Sequence, residues 1–461
     1  MKGNLANTPI NVSELIEDKM NKKFKYNLLS WTFLLMLLEG FDVGSLSFAA
    51  PILIEQLDVT RSTFGVVFSA GTFGLMIGGF IFGFLGDIFG RKQSLMFSIL
   101  MFSIFTLMTA LADSIGSLIV YRFLVGLGLG GTVPLSIVLV NEYAPNNAKG
   151  RWVATMFVGF PLGMAVGGVI AAWLLNHFDW HSIFIVGGIA PLLTLVFLLY
   201  KLPESLKFLV IKNKSRKHIV KLVKQIDSTT KITKDTKFIV NNDETNVRFS
   251  PKLLFEKELK FVTPIIWVAS ITSSFVVYFM NSWLPTLLIE SGLSYTQSSL
   301  TTSLYHLAGI LAGPAVGYIL DKYGVIACVS FPICAAVVTA ILGFPLPALM
   351  LTVTVFMGGI FVIGTQGILT AATPMFYPTV FRAKGNGIAM GIAKIGSILG
   401  PLVGGFLMTQ LALGQLFWVN SGVIIFAALL FLILGIYSRS FFVNRVEEES
   451  INKKQEGPKV V

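Results

Sequence analysis

Four charged side chains stand inside otherwise apolar stretches, and any chemistry in this chain starts with them. Glu39 and Asp42 fall in the first apolar run, Arg122 in the fourth and Lys394 in the eleventh. Glu39 and Asp42 are spaced i,i+3, so on a helix they share a face. On insertion scales each such charge costs about 2.5–3.5 kcal/mol at the centre of a membrane helix. Four unpaired ones would cost roughly 10–14 kcal/mol, comparable to the stability of a whole domain. They must therefore face a protein interior or water. Desolvation favours a protonated carboxyl, whereas a neighbouring cation favours the ionised one. That competition suits a carboxylate that takes up and releases a proton, and a cation freed by the protonation can hold a second anion. At about 1.5 Å per residue, Arg122 lies about 8 Å into its helix and Lys394 about 15 Å into its own, entering from opposite faces. Asp42 and Arg122 can therefore meet. The alternative, buried ion pairs that only set register, stays open.

The elements that must position these charges are long and apolar. Of 461 residues, 54% are hydrophobic and only 13% charged, and the mean hydropathy is +0.76. Soluble domains carry about 25% charge. These values exclude a soluble enzyme, a disordered chain and a disulfide scaffold. Phe (39) and Gly (44) are abundant, as suits helices packed in lipid. Cys328 and Cys334 share one apolar run and the four His are scattered, so no disulfide, metal site or catalytic constellation is indicated. A bilayer-spanning helix needs about 20 mostly apolar residues. Twelve such runs occur, at about 26–52, 63–86, 93–112, 117–141, 151–175, 182–200, 261–285, 297–320, 325–344, 347–373, 384–411 and 414–438. The first is preceded by charges and holds two acids, unlike a cleaved signal peptide. None alternates like a membrane strand.

The cations give the orientation. With the N-terminus cytoplasmic, 32 of the 35 Lys and Arg fall on the cytoplasmic side and one, Arg61, outside, leaving Arg122 and Lys394 within helices. This is a strong positive-inside bias. The net charge of +11 is thus topology, and nucleic-acid binding is not expected. The predicted organisation is a cytoplasmic N-tail (1–25), a six-helix half (26–200), a basic cytoplasmic loop (201–260), a second six-helix half (261–438) and a cytoplasmic C-tail (439–461). The loop, with Lys212, Lys214, Arg216 and Lys217, reads as a retention signal near anionic lipid or as a regulatory partner site. The halves echo each other. At a shift of 234, Pro51 falls on Pro285, Gly79 on Gly313, Gly83 on Gly317, Asp87 on Asp321, Gly90 on Gly324 and Gly130 on Gly364. Ala148-Lys149-Gly150 recurs as Ala383-Lys384-Gly385 at 235. Parallel repeats around a midplane site are the design of secondary transporters, with one half rocking against the other.

Between runs 2 and 3 the chain reads Gly83-Phe-Leu-Gly86-Asp87-Ile-Phe-Gly90-Arg91-Lys92. Gly83 and Gly86 allow close helix contact, Gly90 permits a sharp turn, and Asp87 and Arg91 can form a charged latch. The segment resembles the signature loop of the major facilitator superfamily, with a degenerate echo at Gly317-Tyr-Ile-Leu-Asp321-Lys322-Tyr-Gly324. Asn141-Glu142-Tyr143-Ala-Pro145 and Leu202-Pro203-Glu204-Ser205 resemble further motifs of that superfamily. The resemblance covers roughly residues 26–438. It implies an all-α integral membrane fold of twelve helices. It also implies a conformational latch at Gly83, Asp87, Gly90, Arg91, Glu142, Arg151, Glu204, Asp321 and Arg382.

A narrower match is Leu38-Glu39-Gly40-Phe41-Asp42, similar to the acid-Gly-aromatic-Asp element of the aromatic acid:proton symporters, although Glu39 stands where Asp is usual. Tyr377-Pro378-Thr379-Val-Phe-Arg382 and Gly391-Ile-Ala-Lys394-Ile-Gly396 resemble the same branch, with Lys394 in place of the usual Arg. The antiporters' Gly-Pro pattern in helix 5 is not matched: Gly163-Met164-Ala-Val-Gly167-Gly168 has Met for Pro. The resemblance implies import of a small aromatic carboxylate by proton symport, with Asp42 and Glu39 coupling the proton. Lys394 and Arg122 are expected to hold the anion, with His306, Gln366, Tyr278 and Asn281 as further candidate contacts. His306 reads equally as a packing residue, and Tyr278 and Asn281 as partners of backbone freed near Pro285. No ATP use, cofactor or covalent chemistry is expected. Other readings stay open: symport of a non-aromatic acid, efflux, or a non-transporting sensor on the same fold. The sequence leaves the oligomeric state open and is compatible with a monomer.

Overall fold

The computed structural model describes residues 9–233, 235–240, 250–256, 259–378 and 381–455. Helices run the length of the chain. In order they are α1 Val12–Lys19, α2 Lys22–Gln56, α3 Arg61–Phe89, α4 Arg91–Thr109, α5 Ile115–Tyr143, α6 Lys149–Phe157 and α7 Gly159–His177. Next come α8 His181–Lys201, α9 Leu206–Ile211, α10 Arg216–Ile226, α11 Leu259–Glu290, α12 Tyr295–Ala327 and α13 Ser330–Ile341. The last are α14 Ala348–Gly358, α15 Gly364–Phe376, α16 Arg382–Leu407 and α17 Leu413–Gln455. Among the described residues, eleven helical stretches are long and apolar enough to cross a membrane, α6–α7 and α14–α15 counting as one each. The twelfth apolar helix, α13, is short. Run 325–344 suggested a longer helix, but Gly324 adopts a φ of 75° and the chain turns at 328–329 before α13 begins. Between α14 and α15 one π-turn, Gly359–Ile363, is inserted.

The chain divides into two units, Met1–Asn246 with Gly292–His306, and Val247–Ser291 with Leu307–Val461. In the first, α3 lies along α5 and α2 along α7. Both seams are built on glycine. A Cβ on Gly74 or Gly78 would strike backbone of Phe123 or Leu127, and one on Gly126 or Gly130 would strike Gly71 or Leu75. Close backbone approach through small residues is how helices associate in lipid. In the second unit α11 packs on α16 in the same way, with Gly396 and Gly400 against the Ile271 and Phe275 carbonyls. Trp283 Nε1 donates to Pro401 O across that seam at 2.9 Å. Large apolar side chains such as Phe80, Phe84, Leu193 and Phe197 point outward, which suits acyl chains and not water.

The segments flanking the first six-helix block form a small folded layer. β1 (Ile10–Asn11) pairs in parallel with β2 (Phe238–Ile239). Val12, Leu15 and Ile16 of α1 share a core with Leu206 and Leu209 of α9 and with Ile219, Leu222, Val223 and Ile226 of α10. Asn21 caps α2, accepting from Phe24 N at 2.8 Å, and its Nδ2 donates to Ile226 O at 2.8 Å. Arg216 donates to the carbonyls of Thr233 and Thr236, both at 2.8 Å.

Candidate functional site

The charges of α2 lie in the most buried part of the first unit. Glu39 is 1% exposed, Asp42 0% and Arg122 4%. Gly40, between the acids, allows the Phe160 carbonyl of α7 to sit where a Cβ would be. This close approach helps exclude water from the carboxylates. Asp42 Oδ2 lies 3.3 Å from Arg122 Nη2, and Asp42 Oδ1 accepts from the Thr106 hydroxyl of α4 at 2.7 Å. The Phe184 ring of α8 lies 5.8 Å from the guanidinium carbon, within cation–π range. Arg122 Nε and Nη1 are buried with no hydrogen-bond partner. One cation thus answers Asp42 with one nitrogen and keeps two for another acceptor.

Glu39 Oε2 is within hydrogen-bond reach of the Thr132 hydroxyl of α5. That hydroxyl also lies 2.6 Å from Leu129 O. A hydroxyl has one proton and two lone pairs. Thr132 can donate to an ionised Glu39, or donate to Leu129 O and accept from a protonated Glu39. Sequence reading named neither Thr106 nor Thr132.

In the second unit Lys394 of α16 is half-buried, with Nζ 5.9 Å from the centroid of the Tyr278 ring of α11. Among the described residues its ammonium has no recorded acidic partner. Asn281, one turn beyond Tyr278, has a buried Oδ1 without a partner, as does Gln366 of α15 at Oε1. His306 of α12 belongs to the first unit. It is 1% exposed, and its Nε2 is unpartnered.

The latch residues fall into a connected group and several outliers. Arg91 lies 3.1 Å from Asp87 and 3.2 Å from Glu142, and donates to Gly86 O at 3.1 Å. Gly90 has a φ of 114°, and a Cβ there would meet the Glu204 carboxylate. Glu204 Oε1 accepts from Lys92 N at 3.1 Å and from Ser205 N at 2.8 Å. Gly86 abuts the Leu135 side chain, whereas Gly83, expected at a close helix contact, has open space where its Cβ would point. Arg151 and Asp321 are exposed, and among the described residues neither has a recorded ion pair. Arg382 Nε donates to Tyr377 O at 3.3 Å.

These features are those of a multi-spanning membrane transporter. A family model described as Major Facilitator Superfamily matches residues 32–377 and, overlapping, 292–460, and the chain belongs to that superfamily. It is similar to the 4-hydroxybenzoate transporter PcaK of Acinetobacter baylyi, at 32% identity over 87% of this chain and 88% of the relative. It is also similar to the gallate transporter of Pseudomonas putida, at 32% over 94% and 97%. The benzoate transport protein of Acinetobacter baylyi is 29% identical over 87% of each chain. Among solved structures, a D-xylose-proton symporter superposes with a TM-score of 0.70 at 18% identity, covering 88% of this chain and 97% of that one. A bacterial homolog of the human lysosomal transporter Spinster gives 0.69 at 14%, covering 90% and 97%.

Proposed function

We propose that the protein imports a small aromatic carboxylate together with protons across the cell membrane, by alternating access. The observation that carries this reading is the buried Asp42–Arg122 pair, in which Arg122 keeps two unpartnered nitrogens. A buried pair seldom adds stability over apolar packing. A guanidinium with unused donors in a dry site suits binding of a carboxylate. Asp42, assisted by Glu39, carries the proton, and the Thr132 geometry accommodates Glu39 in either protonation state. Arg122 and Lys394 hold the substrate anion, with His306, Gln366, Tyr278 and Asn281 as polar contacts. Similarity to carriers named for 4-hydroxybenzoate, gallate and benzoate supports the substrate class. The cation distribution supports cytoplasmic termini and two six-helix halves, 26–200 and 261–438, joined by the loop 201–260.

Uptake of labelled 4-hydroxybenzoate and benzoate into proteoliposomes, with and without an inward proton gradient, tests the reading. Gradient-dependent accumulation abolished by a protonophore is the expected result. No uptake of either acid by folded protein would overturn the substrate class. Accumulation indifferent to the gradient would overturn proton coupling.

A further inference from the structure

The outer half of α12, read with the first unit, carries more buried hydroxyls than its packing uses. Ser298, Ser299, Thr301, Thr302, Ser303, Tyr305 and His306 are all at least nine-tenths buried. Ser303 Oγ and Ser299 O abut Gly168 of α7. The end of α12 is tied to the ends of α2 and α7. Tyr295 OH donates to Glu55 Oε2 at 3.3 Å, and Thr296 Oγ1 donates to Asn176 Oδ1 at 2.8 Å. These ties fix the depth of the α12 residues beyond them. At about 1.5 Å per residue, Asp42 lies about 20 Å from Glu55 along α2, and His306 about 17 Å from Tyr295 along α12. The acid of α2 and the end of this polar stretch therefore lie at similar depth from a shared end.

Three side chains on this stretch have polar atoms with nothing to bond. Thr302 Oγ1, Tyr305 OH and His306 Nε2 are buried and unpartnered, on residues 0%, 0% and 1% exposed. Residues spaced i,i+3 and i,i+4 lie on one helix face, so Thr302, Tyr305 and His306 form one patch. The Tyr305 and His306 rings meet edge-on, with centroids 5.2 Å apart, so each limits the other's movement. Buried polar groups in native proteins are nearly always paired. Many hydroxyls in this chain satisfy themselves on the carbonyl one turn back, as Ser299 and Ser303 do at 2.9 Å. Thr302 on the same helix does not.

We propose that Thr302, Tyr305 and His306 form a subsite that hydrogen-bonds a polar ring substituent of the substrate, so the carrier selects hydroxylated aromatic acids over the unsubstituted ring. The inference rests on the aromatic-acid reading above and deepens it. Arg122 takes the carboxylate and the α12 patch takes a phenolic hydroxyl, which can both donate and accept. Benzoate would leave the patch unpaired. A site built to bond a hydroxyl rejects the analogue that lacks it.

The test is the ratio of kcat/KM for 4-hydroxybenzoate over benzoate, measured on the same proteoliposomes of full-length protein. A ratio on one preparation does not depend on how much transporter is folded. Wild type is expected to favour 4-hydroxybenzoate. Tyr305→Phe and Thr302→Val should each lower the ratio about fivefold, the worth of one neutral hydrogen bond. His306→Gln, which keeps a polar group, should lower it less than His306→Leu. Where a variant moves neither acid, ligand-induced shifts in Tm with the two acids on detergent-purified protein give the ratio of their binding affinities instead, and the same fall of about fivefold is expected. A ratio unmoved by both Tyr305→Phe and Thr302→Val, with both acids transported or bound by wild type, overturns this assignment alone. Failure of wild type with both acids overturns the functional reading and this inference with it.

Discussion

The two units treat buried charge in opposite ways. In the first, every charge near the middle of a helix is held by other helices: Asp42 by Arg122 and Thr106, Glu39 by Thr132, Arg122 by Asp42 and the Phe184 ring. In the second, Lys394 is half-buried beside an aromatic face, with no recorded acidic partner among the described residues. Substitution in the first unit is resisted by shape, because the Asp42 carboxylate is met by one particular nitrogen and one particular hydroxyl, while Arg122 keeps two further nitrogens unpartnered. A lone ammonium near a ring resists only loss of charge. On the function proposed above, the units divide the labour, the first taking the proton and fixing the geometry, the second adding a positive charge.

The sharpest way to break this contrast is Asp42→Asn. It leaves Arg122 as a buried cation without its counter-ion, a change that costs about 3–5 kcal/mol in buried pairs. Gradient-driven accumulation should be abolished in protein still found in the membrane. Normal accumulation by the variant would remove Asp42 from proton coupling. Next in size are paired exchanges of the two cations. Arg122→Lys should lower uptake by roughly tenfold to a hundredfold, since one ammonium cannot serve Asp42 and a second acceptor with the same geometry. Lys394→Arg should stay within about threefold of wild type, because charge alone is asked of it there, whereas Lys394→Gln should raise KM about tenfold. Equal effects of Arg122→Lys and Lys394→Arg would erase the proposed division between the units.

Much of this site is legible in the sequence because charge is rare in lipid. Four ionisable residues among apolar runs stand out without any fold, and the rise per residue suffices to bring Asp42 near Arg122. The superfamily's loop motif is likewise legible, since Gly90 and Arg91 act through local geometry. The threonines were not. Most helix hydroxyls here bond their own preceding turn, as Thr72 does to Phe68 O at 2.8 Å, so nothing in sequence separates Thr106 or Thr132 from such residues. The folded layer of α1, α9 and α10 was hidden for a different reason. Its lysines read as a solvated loop and a lipid-facing charge run. Yet Ile219, Leu222, Val223 and Ile226 have the i, i+3, i+4, i+7 spacing of a buried stripe. The open space at Gly83 also escapes sequence, because a glycine signals permission for close contact and not the contact itself.

Smaller effects sharpen the same comparison. Thr132→Val removes one hydroxyl from Glu39, and Thr106→Val one from Asp42, each worth about 0.5–1.5 kcal/mol. Each should move the midpoint of the uptake–pH curve while leaving the amount of folded protein unchanged. Tyr278→Leu takes the ring from beside Lys394 and should raise KM about threefold, in keeping with a cation–π contact of roughly 0.5–1 kcal/mol. A larger loss of uptake from Tyr278→Leu than from Arg122→Lys would mean that the second unit, not the first, fixes the substrate.

The smallest expected effect lies outside the membrane, in the layer that joins the N-terminal segment to α10. Asp227 ends α10, and its carboxyl is held down at about 2 by the hydroxyls of Thr230 and Thr229 and by the Thr229 backbone N–H. Its folded value lies below the unfolded one of about 3.9. The contribution to stability is therefore complete above the unfolded value and is lost as pH falls through about 4 towards 2. Hydrogen exchange of the backbone around 226–230 should thus be flat between pH 7 and pH 5, once corrected for intrinsic rates, and should lose protection below pH 4. Asp227→Asn should remove that loss while leaving uptake at neutral pH unchanged. If the variant instead altered the uptake–pH curve between pH 5 and pH 7, this layer would be coupled to the proton step, and the division between a charge-bearing interior and a merely supporting surface would fail.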